Sequence, residues 1–309
     1  MSESILHRLK KFFIPILLAL ITIYILAACS YTKEVNWDNR FIERFQPTED
    51  AMAQTRIGIH NVNIDAVRDD LTLYIGQTLG DGKTIYIALD AIFSNAIDVN
   101  SVEVESVNFY KGKVTYGDIK GKKADEIIGG ISVEQQSDAV VNNCIPYIIS
   151  FISNDGYFLE KELTMAIQIT AQNNFKQDVM NESFVISWIP KNRGQAYDLP
   201  LNNTDGKLVG DAFISAFYFE ADLFYSGYET FEELAESVRI TMNDGTIFNP
   251  KSSMAGSYSS TQGGFHKIRW QFREILILSE VKSLQIGDYK VDIKIKNFKI
   301  DISSNTDRN

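Results

Sequence analysis

Leu71-Thr72-Leu73-Tyr74-Ile75, then Gly80-Asp81-Gly82, then Ile85-Tyr86-Ile87-Ala88-Leu89: this stretch decides the fold class. Side chains two apart share one face of a strand. Here Leu71, Leu73 and Ile75 alternate with other residues, Gly80-Asp81-Gly82 supplies a turn, and Ile85, Ile87 and Leu89 resume the alternation. That pattern predicts a β-hairpin. Outward from it, strand-like runs recur at 102–110, 145–152, 163–171 and 184–189. Lys111-Gly112, Asn154-Asp155-Gly156 and Asn173-Asn174 mark turns between them. Short strands with frequent turn residues predict a sandwich and not alternating βαβ units.

Residues 191–210, rich in Asn, Gly and Pro, read as a linker into a second β-rich block. That block opens with a long run over 212–225 and continues through a hairpin pattern at 237–242, Asn243-Asp244-Gly245 and Ile247. Residues 249–264 read as a Ser/Gly-rich loop, and 267–272, 284–286, Gly287-Asp288 and 289–295 as a closing strand-turn-strand. One helix is predicted in this block, at 232–236. The predicted fold is mainly β, with two β-sandwich-like (immunoglobulin-like) domains at 56–190 and 211–302 after an N-terminal segment, and a polar tail at 303–309. No repeat of fixed period is present.

The N-terminal segment carries an address. A basic start (His7, Arg8, Lys10, Lys11) leads into an apolar stretch from Phe12 to Ala28, closing on Leu26-Ala27-Ala28-Cys29. A positive n-region, an apolar h-region and small residues before a cut define a secretory signal. Leu-Ala-Ala-Cys resembles the lipobox of bacterial lipoproteins. That resemblance implies cleavage after residue 28, acylation of Cys29 and a chain held on the outer face of the cell membrane by lipid. An uncleaved span is the alternative, since the apolar stretch of about 17 residues is at the short end for crossing a bilayer. The basic residues precede it, so the remainder is exported either way. Residues 29–55 read as a tether with a short amphipathic helix. Trp37, Phe41 and Phe45 recur at a spacing of four, Pro47 ends that helix, and Thr48-Glu49-Asp50 caps a further turn.

The chain has 309 residues, a net charge of -10, 45% hydrophobic and 12% aromatic residues. That furnishes a real core and excludes global disorder. The negative charge argues against nucleic acid as a partner, which demands a basic patch, and against a broad electrostatic hold on anionic lipid. With Cys29 lipidated, Cys144 has no partner for a disulfide. It leads into Ile145-Pro146-Tyr147-Ile148-Ile149 and reads as a buried, inert thiol.

No catalytic residues, no metal site and no cofactor are predicted. Beyond His7, the histidines are His60 and His266, with no cluster of zinc-ligand spacing. Neither a Gly-x-Ser-x-Gly elbow nor His-Glu-x-x-His occurs. A Ser-His-Asp triad assembles in space and is not legible in a sequence, so a hydrolase stands as a third reading. Asn203-Thr204-Asp205-Gly206 fails as a calcium loop, because Leu201 and Ala212 stand where carboxylates are required. Gly80-Asp81-Gly82 and Gly129-Gly130 lack the phosphate-loop pattern, and Glu232-Glu233 reads as a solvated helix face. The sharpest candidate for binding is the aromatic-dense run from Phe213 to Phe231. Read as one strand, it puts Phe217, Phe219, Leu223 and Tyr225 on one face and Tyr218, Glu220, Asp222 and Phe224 on the other. That second face either packs as well or suits an envelope protein, a peptide or a glycan.

Asp81-Gly82-Lys83-Thr84-Ile85-Tyr86-Ile87-Ala88-Leu89 and the strand at 184–190 with Ser187-Trp188 carry a family resemblance. So do Phe213-Ile214-Ser215, Asn243-Asp244-Gly245-Thr246 and Ser279-Glu280-Val281-Lys282-Ser283-Leu284. They resemble the β-rich extracytoplasmic domain of Gram-positive membrane-bound anti-sigma factors. The resemblance implies a sensing or binding role without catalytic residues. Such a factor holds its sigma partner with a cytoplasmic helical domain, and about eleven residues before the apolar stretch are too few for a stable helix. The expectation is therefore a non-enzymatic, lipid-anchored surface protein. The alternative is a single-span regulator that works with a sigma/anti-sigma system through another subunit.

Overall fold

The computed structural model describes residues 36–95, 101–121, 130–136, 143–153, 161–172, 178–203, 205–224, 230–248, 254–261 and 264–293. The expectations for 1–28, Cys29, the turns Asn154-Asp155-Gly156 and Asn173-Asn174, Gly129, Tyr225 and 303–309 lie outside the described residues.

The hairpin that opens the reading is β2 (Leu71–Gly80) and β3 (Thr84–Phe93), with Ile75 opposite Leu89 and Gly80 opposite Ile85. Gly82, at φ +88, makes the turn that a side chain would resist. With β1 (Ile59–Arg68), β5 (Ile131–Gln135) and β6 (Cys144–Ile152), the pair forms sheet A in the order β1-β2-β3-β6-β5. Facing it, β4 (Val102–Lys111), β7 (Leu163–Gln172) and β8 (Asp178–Trp188) form sheet B in the order β4-β7-β8. Leu73, Ile87, Ile149 and Phe151 of sheet A pack on Phe109, Met165, Ile167 and Trp188 of sheet B. Phe109 and Phe151 stack with ring centroids 4.4 Å apart.

The second sandwich is built alike. β9 (Ala196–Asn202), β10 (Leu208–Ser215), β11 (Tyr218–Leu223), β14 (Met254–Thr261) and β15 (Gly264–Phe272) form sheet C in the order β14-β15-β11-β10-β9. β12 (Val238–Met242), β13 (Ile247–Phe248), β16 (Val281–Ile286) and β17 (Tyr289–Asp292) form sheet D in the order β13-β12-β16-β17. Ile214, Phe219, Ile268 and Trp270 pack on Ile240, Leu278 and Leu284. The protein is mainly β, and each half is sandwich-like.

Three expectations change. Residues 191–210 are not a loose linker. Ala196–Asn202 is the edge strand β9, where Pro200 is tolerated because an edge strand can spare a donor. The residues before it are fixed too: the buried Asn192 donates to Gly58 O at 2.7 Å and accepts from Thr78 Oγ1 at 3.1 Å. The run at 212–225 is a hairpin and not one strand. It breaks at Ala216-Phe217, where Ser215 Oγ accepts from Phe217 N and Tyr218 N at 3.1 and 3.0 Å. A serine hydroxyl standing in for a backbone partner closes a turn without glycine or proline. Within the expected loop at 249–264, Met254–Thr261 is β14, paired along β15.

Among the described residues the α-helices are short: α1 (Asn39–Phe45), α2 (Glu49–Thr55), α3 (Tyr116–Lys120) and α4 (Phe231–Ser237). Asp38 caps α1 and Thr48 caps α2, each side chain accepting a first-turn amide. α1 covers the outer face of sheet A. Phe41 and Phe45 are buried, and Phe45 meets the Tyr86 ring edge-on at 4.9 Å. Arg40 Nη1 donates to Leu89 O at 2.9 Å and to Asp90 at 2.8 Å, while its other nitrogens hold Asp38. α2 reaches the second sandwich: Gln54 donates to Leu276 O at 3.3 Å and accepts from Ser279 N at 3.2 Å. From Asp38 onward the chain is one compact unit, so the two sandwiches share a seam.

Candidate functional site

The outer face of sheet C carries ordered rows of charge. Two cross-strand rows run over it. Asp198, Phe213, Glu220 and Arg269 are register partners across β9, β10, β11 and β15. Pro200, Asp211, Asp222 and Lys267 form the next row. Side chains in register are about 5 Å apart at Cβ, which lets opposite charges pair. Arg269 Nε lies 2.7 Å from Glu220, and Lys267 Nζ lies 3.0 Å from Asp222.

A third cation arrives from the first sandwich. The β2–β3 turn projects Lys83 over this face, with its ammonium 4.5 Å from the Phe213 centroid and 3.6 Å from Glu220. The Lys83 side chain is only 13% exposed. Burial pushes the Glu220 carboxyl up, but Lys83, the Tyr218 hydroxyl at 2.6 Å, Arg269 and Lys267 together outweigh it and hold it below its ordinary value. Asp198 moves the other way: burial raises it, Lys83 opposes, and Asp211 adds to the rise. Asp198 and Asp211 form no ion pair among the described residues. With Leu199, Pro200, Ala212 and Phe213 they line an open groove of about 250 Å³.

Of the four residues singled out in the sequence, Glu220 and Asp222 line this groove. Tyr218 does not: it is fully buried beneath Lys83 and beside Phe213, and its hydroxyl is spent on Glu220. Phe224, at the end of β11, is 66% exposed. Sequence reasoning missed Lys83, Asp198 and Asp211. The first is remote in the chain, and the other two lie in or beside the supposed linker.

The remaining candidates have local roles. Asn203 Oδ1 accepts from Asp205 N and Lys207 N at 3.1 and 2.9 Å, a turn held by its own side chain and not a cation loop. Among the described residues no group of three or more His, Cys, Asp or Glu is placed to hold a metal. His60 on β1 is half-buried beside Lys191. Burial and then that charge lower its pKa. The His266 side chain lies outside the described residues. Glu232 and Glu233 are exposed, the latter closing a capping box on Thr230. Cys144 is free and half-buried, and its thiol is pushed up by burial and by Asp90.

Fold and face together define a mainly β protein of two sandwich-like halves with one charged, grooved sheet. No protein-family model matches the chain, and no curated protein matches it. A solved structure described as the conserved domain protein from Bacillus anthracis aligns at 11% identity and a TM-score of 0.46 over 79% of this chain and 82% of its own.

Proposed function

We propose that this chain is an exported, lipid-anchored, non-enzymatic module of the cell envelope, and that it binds or senses a partner through the groove of sheet C. The export signal and the Leu-Ala-Ala-Cys29 motif support the anchor. Among the described residues no helix is long and apolar enough to cross a membrane, and the apolar N-terminal stretch lies outside them. The observation that carries the binding role is the pairing pattern of the groove. Glu220 and Asp222 are neutralised by cations, while Asp198 and Asp211 stand beside apolar Leu199 and Pro200 with no ion pair among the described residues. Uncompensated carboxylates next to apolar surface suit an envelope protein, peptide or glycan that brings amino groups.

Two measurements test this. Intact mass of the membrane-extracted protein, beside a Cys29→Ala variant, is expected to show loss of residues 1–28 and added acyl mass only with Cys29 present. A full-length chain without lipid would favour the single-span regulator. A photo-crosslinker at Asp211 is expected to trap a surface partner in intact cells, with none trapped from exposed Val67. Equal trapping from both positions would remove the groove from the account.

A further inference from the structure

The turn that delivers Lys83 also buries an acid. Asp81 is 1% exposed at the seam, directly under the β10–β11 hairpin of the second sandwich. Its Oδ1 accepts from Lys83 N at 2.8 Å and Thr84 N at 2.7 Å, which fixes the turn. Its Oδ2 is sealed from solvent and has no hydrogen-bond partner. The wall behind it is backbone: a Cβ on Gly194 would come within 2.9 Å of Asp81 Cα and 2.5 Å of Gly80 O.

The groups that face Asp81 do not neutralise it. Lys83, on the same turn, is its nearest cation, and that ammonium is committed to Glu220 and to the Phe213 and Tyr218 rings. Tyr86 on β3 and Tyr218 on β11 are neutral phenols whose pKa values are raised chiefly by burial. Ser215 on β10 turns its hydroxyl toward Asp81, but that oxygen accepts two amides and its proton has the Tyr218 carbonyl as a competing acceptor at 3.4 Å, so it offsets the burial only in part. An ionised carboxylate with one unpaired, dehydrated oxygen is costly, and a buried acid escapes that cost by keeping its proton.

We propose that Asp81 is carried as a neutral carboxylic acid, so that a proton holds the seam between the two sandwiches, which is tight in acid and loosens as the medium turns alkaline. The balance is a single proton, lost from Asp81 to solvent on opening and regained on closing. Burial dominates the rise of its pKa above the ordinary carboxylate value, against the opposing pull of Ser215, the two amides and Lys83. A group raised in the folded state contributes stability that is complete below its unfolded value and is lost as pH climbs through the folded one. In an exported protein the surrounding pH is that of the medium, which makes such a seam a gauge of it.

The test is infrared spectroscopy of the full protein across pH, with Asp81→Asn beside it. The expected result is a carbonyl band of un-ionised acid that persists at neutral pH, after exposed carboxyls have ionised, and that is absent in the variant. Asparagine keeps the Oδ1 acceptor and replaces the acid proton with an amide donor. Its denaturation midpoint is therefore expected to match wild type in acid and to exceed it in alkali. Absence of the band at neutral pH, or a variant less stable than wild type at every pH, overturns the proposal. Should the variant fail to fold, the pH dependence of the band in wild type decides alone.

Discussion

Both large sheets in this protein carry a second, outward face rich in aromatic and acidic residues, and the two faces meet different fates. On sheet A, Tyr86, Ala88 and Asp90 are covered by α1, whose Phe41, Phe45 and Arg40 complete the packing. On sheet C, Glu220 and Asp222 pair with Lys83, Lys267 and Arg269, and Asp198 and Asp211 line the open groove beside them. Strand chemistry alone does not decide whether such a face becomes core or surface. A covering segment decides it: sheet A has one within reach, in the residues just before β1, whereas among the described residues sheet C receives the tip of the β2–β3 turn at Lys83 and, from β6, Ser150, which accepts from Gln271 at 2.8 Å.

The comparison breaks most easily at its covered side. Phe45 contacts Tyr86 and also the Phe217 ring at 5.8 Å, joining helix, first sandwich and second sandwich. Phe45→Ala is expected to cost about 3–4 kcal/mol, read from the shift in denaturant midpoint, because a cavity opens between three elements. A loss below about 1 kcal/mol would show that α1 merely lies on the sheet. Next comes the backbone wedge at the seam. Gly194→Ala forces a methyl against Gly80 O and Asp81 Cα and is expected to cost about 2 kcal/mol, with increased protease cleavage between Trp188 and Ala196.

On the open face the effects are smaller and depend on pH. Glu220→Gln is expected to cost about 1 kcal/mol at neutral pH. Because the Glu220 carboxyl is held below its ordinary value, its contribution is present above that value and fades as pH falls through the folded one. Wild type and variant should therefore converge in acid, and a constant gap would assign the loss to packing. Asp198→Asn should change stability by less than about 0.5 kcal/mol, in the stabilising direction, since its carboxyl is raised by burial and by Asp211. Its expected effect is on trapping of a partner at the groove, measured by crosslinking yield.

Elements with a clear period and glycine turns were legible. The β2–β3 hairpin follows from Leu71, Leu73, Ile75 and the Gly80-Asp81-Gly82 turn, and α2 from the cap at Thr48. What was hidden has a physical reason each time. β9 contains Pro200 and is flanked by Asn and Gly, a composition that marks loops except on a sheet edge. The break at Ala216-Phe217 rests on one serine hydroxyl and is filled with buried apolar residues, so nothing in composition announces it. Half of the groove was visible as Glu220 and Asp222 on alternating positions. The rest was not, because Lys83 and Asp198 join it through tertiary packing and not through spacing. The seam was invisible for the same reason: an Asp-Gly turn reads as solvent-exposed until a second sandwich is set upon it.

The account rests on the two sandwiches behaving as one body, joined by α1, α2, the β2–β3 turn and the fixed segment at Asn192. Each half carries its own buried indole, Trp188 in the first core and Trp270 in the second. The most direct test is equilibrium unfolding followed by each tryptophan separately, in variants where the other tryptophans are replaced by phenylalanine. The account predicts coincident transitions, with one midpoint and one slope for both probes. Two separated transitions, one sandwich melting while the other stands, would contradict it.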